Sequence, residues 1–482
     1  MIDLRPVGYI LGLLSAVIGL AMLVPMAADM IDGDANWRAF MASATVTFLA
    51  GVFVALACQN GARAEMGTRH AFVLTTGAWV VLPLFGALPF MLGVPGVGFT
   101  DAFFESMSGI TTTGTTVFVG LDSMPRGTLL WRSILQWLGG LGIIVVAMLF
   151  LPLMKVGGMQ FYRSEAFDTM GKVMPRALDL ARALFEVYLL ITVACAASYF
   201  ALGLSAFDAV NHAFTTVATG GFSTSDASFA AFSPAAQYAS ILFMILAGLP
   251  FVRFVQLMGG SFAPLWQDIQ VRAYIRWITY AVAAVLVYRI ATEGVAVLPG
   301  LRESAFNVVS LFSGTGYSSA DVSAWGAFPL VVVIAVGAVG ACTASTGCSI
   351  KVFRYLVLFE AIKAQIRRIH SPSRVVPVRL DGKPLGDDVI NSVIALFTLF
   401  MVGFGIAAVL LSLTGLQIST AFTAAWTALF NIGPAFGPEV GPTGAVDGFP
   451  PLAKWVMIAA MLAGRLEMLA VVVLLLPRFW RA

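Results

Sequence analysis

Ten apolar runs dominate this chain, most of them long enough to cross a hydrocarbon layer of about 30 Å at about 1.5 Å per helical residue. They cover residues 6–28, 40–58, 71–92, 128–153, 183–202, 235–257, 278–298, 327–350, 389–413 and 452–476. Backbone in lipid must satisfy its own hydrogen bonds, so runs of this length predict an all-α membrane protein with ten spans. Composition agrees: of 482 residues 59% are hydrophobic and 11% charged, against roughly 45–50% and about 25% in soluble domains. The first run follows Arg5 and exceeds the roughly 7–15-residue core of a signal peptide, so it reads as a retained helix, although Ala27 and Ala28 imitate a cleavage site. A formal charge of +3 gives no bulk basicity for nucleic acid. The four cysteines form no CxxC pair and the three histidines are scattered, so neither a zinc site nor a disulfide framework is expected. Walker A, HExxH and GxSxG motifs are absent, and no enzyme is expected.

Between alternate spans lies a shorter, more polar segment, and four copies resemble one another: Asp101–Gly114, Asp208–Gly220, Ser304–Gly316 and Thr420–Gly433. Each opens on a capping-type residue about a dozen positions before a glycine, which suits a helix of about three turns that stops halfway through the membrane. The unit is helix, half-helix, glycine strand, helix, and four such units naturally surround one axis. The chain then divides into two N-terminal helices (1–69) and four pore repeats at 70–155, 156–260, 261–370 and 371–482.

Lys and Arg in short loops orient the bundle. The 351–383 connection carries Lys351, Arg354, Lys363, Arg367, Arg368, Arg374, Arg379 and Lys383, and Arg163, Lys172, Arg176, Arg182, Arg253, Arg272 and Arg276 fall on the same side. The loops flanking the half-helices carry acidic residues such as Asp101, Asp226, Glu303 and Glu439. The glycine strands then face outside, with both termini in the cytoplasm.

Irregular backbone at membrane depth is tolerated only where protein buries it or where it lines a water-filled path. Thr113-Gly114, Thr219-Gly220, Thr315-Gly316 and Ile432-Gly433 can therefore form rings of backbone oxygens that replace water around a cation, each aided by the negative end of its half-helix. Helix caps or small-residue packing contacts are the plainer reading of any one copy. The stretch Gly340-Ala341-Cys342-Thr343-Ala344-Ser345-Thr346-Gly347-Cys348 is small and polar where a span should be apolar, and can unwind into an obstructing gate or pack as a helix of small residues. Arg465, near the centre of the last run, must face the interior and find a partner. Glu467, two positions on, is poorly placed to be its sole partner. Carbonyls of 340–348 are the expected acceptors, with a strut between two helices as the alternative.

At these residues the sequence resembles the Trk/Ktr/HKT superfamily of cation transporters, most closely its bacterial TrkH/TrkG branch. The likeness rests on Thr111-Thr112-Thr113-Gly114, Ala218-Thr219-Gly220-Gly221-Phe222-Ser223-Thr224, Gly314-Thr315-Gly316-Tyr317, Asn431-Ile432-Gly433-Pro434, Trp137-Leu138-Gly139-Gly140-Leu141-Gly142, Ser345-Thr346-Gly347 and Gly464-Arg465-Leu466-Glu467. The resemblance implies a homodimer in the bacterial inner membrane with potassium as the transported substrate. It maps the four filter glycines onto Gly114, Gly220, Gly316 and Gly433, the gate onto 340–348 and its interacting arginine onto Arg465. It also implies a soluble TrkA/KtrA-like subunit, with the basic 351–383 connection as docking surface. Nucleotide (ATP/ADP or NAD) would then bind only that partner. Two features depart from the family pattern. Ala344, Cys348 and Ser349 stand where glycine is common, and Gly314 adds a glycine that can shift the third strand's carbonyl register. Gly114 leans toward potassium, since serine there accompanies sodium transport in plant relatives. The expected function is potential-driven potassium uptake, with a sodium-coupled or weakly selective transporter as the alternative. A non-conducting scaffold and an intramembrane enzyme built on His212 are the readings from other classes.

Overall fold

In a computed structural model of the chain, which describes residues 3–61, 66–149, 177–373 and 376–481, helices supply nearly all regular structure. Arg163, Lys172, Arg176, Arg374 and the expected boundary at 155/156 lie outside the described residues. The protein is a multi-pass membrane protein. Seven helical stretches are long and apolar enough to cross a bilayer unbroken: Arg5–Asp32, Trp37–Ala57, Thr68–Leu92, Arg126–Val146, Asp179–Ala201, Ile269–Glu293 and Asp387–Ser412.

The remaining three expected spans are broken. Pro234–Ala247 and Phe251–Met258 meet at 93°, and Pro451–Arg465 and Leu469–Leu475 at 112°. The first bend sits on Gly248-Leu249-Pro250, where proline supplies no N–H and its ring opposes continuation of the helix. The second sits on Glu467 (φ 59°) and Met468 (φ 51°), in the left-handed region that ends a right-handed helix. The expected span 327–350 is not one helix. Ala327–Val339 ends at Gly340 (φ 75°), an irregular segment follows to Lys351, and Val352–His370 resumes.

The four half-helices are Phe99–Ile110, Ala206–Val217, Val297–Ser313 and Ile418–Phe430. The third begins well before Ser304, because Gly294 (φ 67°) stops the preceding span at Glu293. Pro299 is harmless in a first turn whose N–H groups have no intrahelical acceptor. Leu298 therefore belongs to the half-helix rather than to the span expected to end there.

The N-terminal helices join the bundle by close backbone packing. A Cβ on Gly12 would stand 2.6 Å from the Gly51 carbonyl oxygen, and one on Gly51 equally near that of Gly12, the small-residue contact that lets membrane helices approach. Buried Asp29 accepts from Asn36 Nδ2 (2.8 Å) and the Gly127 N–H, tying this pair to the Arg126–Leu149 helix. On the far side of the bundle, the 351–383 connection has structure of its own. The Val352–His370 helix and an Arg379–Leu380/Lys383–Pro384 hairpin enclose a small second core with Phe353, Val357, Val378 and Leu380.

Candidate functional site

The four half-helices end in the same way. A left-handed residue follows each helix within two positions: Thr112 (φ 50°), Thr219 (φ 51°), Gly314 (φ 80°) and Asn431 (φ 51°). The next residue's N–H returns to a carbonyl five positions back: Thr113 to Ser108 (2.9 Å), Gly220 to Thr215 (2.8 Å), Thr315 to Ser310 (2.9 Å) and Ile432 to Thr427 (3.1 Å). This is the 6→1 bond of a Schellman cap, which satisfies orphan carbonyls within the unit itself. Two residues after the first left-handed position a second follows, always glycine: Gly114 (φ 88°), Gly221 (φ 79°), Gly316 (φ 82°) and Gly433 (φ 117°).

These caps fix the register, and in the second copy it differs from expectation. Gly220 occupies the place of Thr113, Thr315 and Ile432, while Gly221 is the left-handed glycine matching Gly114, Gly316 and Gly433. Two adjacent glycines gave the sequence no means to choose between them. The additional glycine of the third strand shifts nothing, since Gly314 fills the position that Thr112, Thr219 and Asn431 fill under strain elsewhere.

The strands close on one another in cyclic order. A Cβ on Gly114 would lie 2.2 Å from the Gly220 oxygen, one on Gly221 2.0 Å from that of Thr315, and one on Gly316 2.0 Å from that of Ile432. One on Gly433 would lie 3.1 Å from the oxygen of Thr113. The four left-handed glycines line one cavity of about 100 Å³ on the side away from the half-helices. The structure thus brings Thr113, Gly114, Gly220, Thr315, Gly316, Ile432 and Gly433 to a common ring, and sets Thr219 one step behind it. Four helix C-termini, each with a partial negative charge, converge on this ring.

Side chains from neighbouring elements hold the strands. On the Arg126–Leu149 helix, Gln136 donates to the Gly220 oxygen (2.6 Å) and accepts from the Phe222 N–H (3.0 Å). One turn earlier Arg132 pairs with Glu105 (2.7 Å), both side chains essentially inaccessible, and donates to the Ser223 oxygen (3.0 Å). Glu105 also accepts from the Val117 N–H (2.9 Å). The Thr115 hydroxyl donates to the Gly433 oxygen (2.6 Å), and Asn431 Nδ2 to Thr113 Oγ1 (2.8 Å). The sequence reading missed Arg132 and Gln136, whose signal was polarity inside an apolar run, and gave Glu105 no site role.

Behind the ring lies the 340–351 segment. Gly340, Ala341, Cys342, Thr343, Ala344, Ser345, Thr346, Gly347 and Cys348 are all buried. The thiol of Cys348 is 3.8 Å from Thr112 Oγ1, and a Cβ on Gly314 would stand 3.5 Å from its backbone nitrogen. The backbone is satisfied by neighbours: Cys342 N–H donates to the Gly248 oxygen (3.0 Å), Phe251 N–H to that of Ala344 (2.9 Å), and Thr343 N–H to Gln270 Oε1 (3.0 Å). Arg465 reaches the Thr346 oxygen (3.4 Å) and the Cys348 sulfur. Glu467 instead pairs with buried Arg354, in keeping with two residues that do not share a helix face. Arg465 and Glu467 together fasten the second half of the irregular segment, and the helix that follows it, to the break in the last span. His212 bonds to the Asp208 oxygen (2.8 Å) and Ser223 Oγ (3.0 Å) and packs between Phe229 and Phe232. It is a satisfied core histidine that braces the second strand.

Comparison with known proteins bears on this architecture. Residues 37–481 match the family model described as "TrkH: Cation transport protein". The chain is 38% identical to the Trk system potassium uptake protein TrkI of Halomonas elongata, over 99% of this chain and 97% of that one. It is 36% identical to the Trk system potassium uptake protein TrkH of Escherichia coli, over 99% of each. The crystal structure of the potassium transporter TrkH from Vibrio parahaemolyticus matches with a TM-score of 0.91 at 31% identity, covering 100% of both chains.

Proposed function

The chain belongs to the TrkH family of cation transport proteins, and on that premise we propose that it carries potassium into the cell through the four-stranded ring. The family is one of transporters rather than enzymes. The observation that carries the reading is the cyclic closure of the strands, each presenting a carbonyl oxygen against the preceding strand's left-handed glycine. Backbone oxygens of Thr113, Gly220, Thr315 and Ile432, with those of Gly114, Gly221, Gly316 and Gly433, replace the hydration shell of potassium. A membrane potential of about 100 mV supplies about 2.3 kcal/mol per charge, roughly a fiftyfold accumulation without chemical coupling.

The 340–348 segment is the gate in this reading, and Arg465 its electrostatic latch and barrier. Its support is burial behind the ring with backbone bonds borrowed from other units. The basic face of the Val352–His370 helix and hairpin is the docking surface for a soluble nucleotide-binding subunit of the TrkA/KtrA type. The chain works as a homodimer in the bacterial inner membrane with both termini in the cytoplasm. Growth on limiting potassium, in cells stripped of their own potassium uptake systems, tests the proposal. Rescue by this chain supports it, and failure of correctly inserted protein to rescue, with its soluble partner supplied, contradicts it.

A further inference from the structure

The ring is fourfold in backbone but not in its side-chain contacts. Of the four equivalent oxygens, that of Gly220 accepts a side-chain donor, Gln136 Nε2 at 2.6 Å. Among the described residues no side-chain donor reaches the oxygens of Thr113, Thr315 or Ile432. Gln136 is fully buried, and both ends of its amide are used, the oxygen by the Phe222 N–H at 3.0 Å. The reach needs an absent side chain: a Cβ on Gly220 would lie 2.3–2.8 Å from the amide atoms of Gln136. This accounts for the glycine pair of the second strand. Gly221 supplies the left-handed turn, and Gly220, whose φ is ordinary, supplies the room.

We infer that Gln136 is a specificity-determining positioning residue, which lowers the field of one ring carbonyl by donating to it. This rests on the reading of the four strands as a cation filter. A carbonyl that already accepts an N–H offers less negative potential to an ion. Field strength at the coordinating oxygens is one of the quantities that separates potassium from sodium, and a weaker field favours the larger ion. The helix that bears Gln136 comes from the first repeat and the strand from the second, so selectivity is set across a repeat boundary.

Two substitutions test this in full-length protein, through rubidium uptake by cells lacking other potassium uptake systems, with potassium or sodium as competitor at varied external pH. Gln136→Glu keeps the acceptor for Phe222. When ionised it has no donor for Gly220, and when protonated its O–H restores one. Its potassium-over-sodium preference should fall about fivefold at alkaline pH, the factor that goes with loss of one ordinary hydrogen bond, and recover at acid pH. Gln136→Met, of similar length and with no donor, should lose about the same preference at every pH. A merely structural glutamine would give no pH-dependent preference. Wild-type preference in both variants at all pH values overturns the inference and leaves the filter reading intact. Absence of preference in the wild-type protein overturns the filter reading itself. Should Gln136→Glu fail to reach the membrane, Gln136→Met decides by the same comparison.

Discussion

The glycine strands and the 340–351 segment are both irregular backbone at membrane depth and both take hydrogen bonds from other elements, but each strand also starts from a helix cap of its own. Each strand is anchored by a cap within its own half-helix, Thr113 to Ser108, Gly220 to Thr215, Thr315 to Ser310 and Ile432 to Thr427. The 340–351 segment depends on groups far away in sequence: Gly248, Gln270 and Arg465. Backbone satisfied locally can move only if a helix end unravels, whereas borrowed partners can be exchanged as neighbours shift. The first arrangement suits a fixed filter and the second a movable gate, and charged residues hold the boundary between them.

The comparison breaks most severely where a charge is left alone. Glu105→Leu strands Arg132 in a buried site, and we expect a loss of about 3–5 kcal/mol, read as a large fall in thermal midpoint in detergent. An unchanged midpoint would show that the pair supports nothing. Next comes a series in the ring. Alanine at Gly114, Gly221 or Gly316 drives a Cβ to 2.0–2.2 Å from a neighbouring carbonyl, while at Gly433 the approach is 3.1 Å. Uptake should fall in all four, in the first three through the carbonyl clash and in Gly433→Ala through its φ of 117°, and full uptake in any of the first three would refute the cyclic geometry.

The proposed gate should respond in both directions. Gln270→Leu removes the acceptor of Thr343 N–H, which is worth about 1 kcal/mol, and should raise uptake severalfold when no regulatory subunit is present. Arg465→Gln should likewise change flux while the protein still inserts and folds. Ala344 is held at φ 60°, so Ala344→Gly relieves strain of about 1 kcal/mol and should lower uptake a few-fold by favouring the conformation seen. The smallest effect lies at the start of the fourth half-helix. Glu439 accepts from Thr420 Oγ1 and the Gln417 N–H at the start of the fourth half-helix, and these bonds hold its carboxyl below the usual range. A depressed carboxyl lends stability above its unfolded pKa and loses it as pH falls through the folded one. Glu439→Gln should flatten the acid limb of a stability profile, and an unaltered limb would exclude this contact.

Much of this organisation was legible in residue spacing. Four half-helices, three of the four left-handed glycines, the interruption at Gly340 and the need of Arg465 for an acceptor all follow from polarity and glycine placement in apolar runs. The choice between Gly220 and Gly221 was not legible, because either glycine can take the left-handed turn and the cap from Gly220 to Thr215 decides the register only where the half-helix ends. The bend at Pro250 carried a signal in its proline, whereas that at Glu467-Met468 has none in residue type. It follows from Glu467 turning to Arg354, 113 residues away. Contacts across repeats are set by the assembled bundle and leave no local pattern.

Four unlike strands that form one selective ring must tell potassium from sodium. The most direct test is rubidium uptake by cells lacking their own potassium uptake systems and supplied with this chain and the proposed soluble subunit, with potassium and sodium as competitors. Inhibition by potassium and not by sodium is the expected result. Equal inhibition by both ions would contradict the claim and point to a pore that admits cations without discrimination.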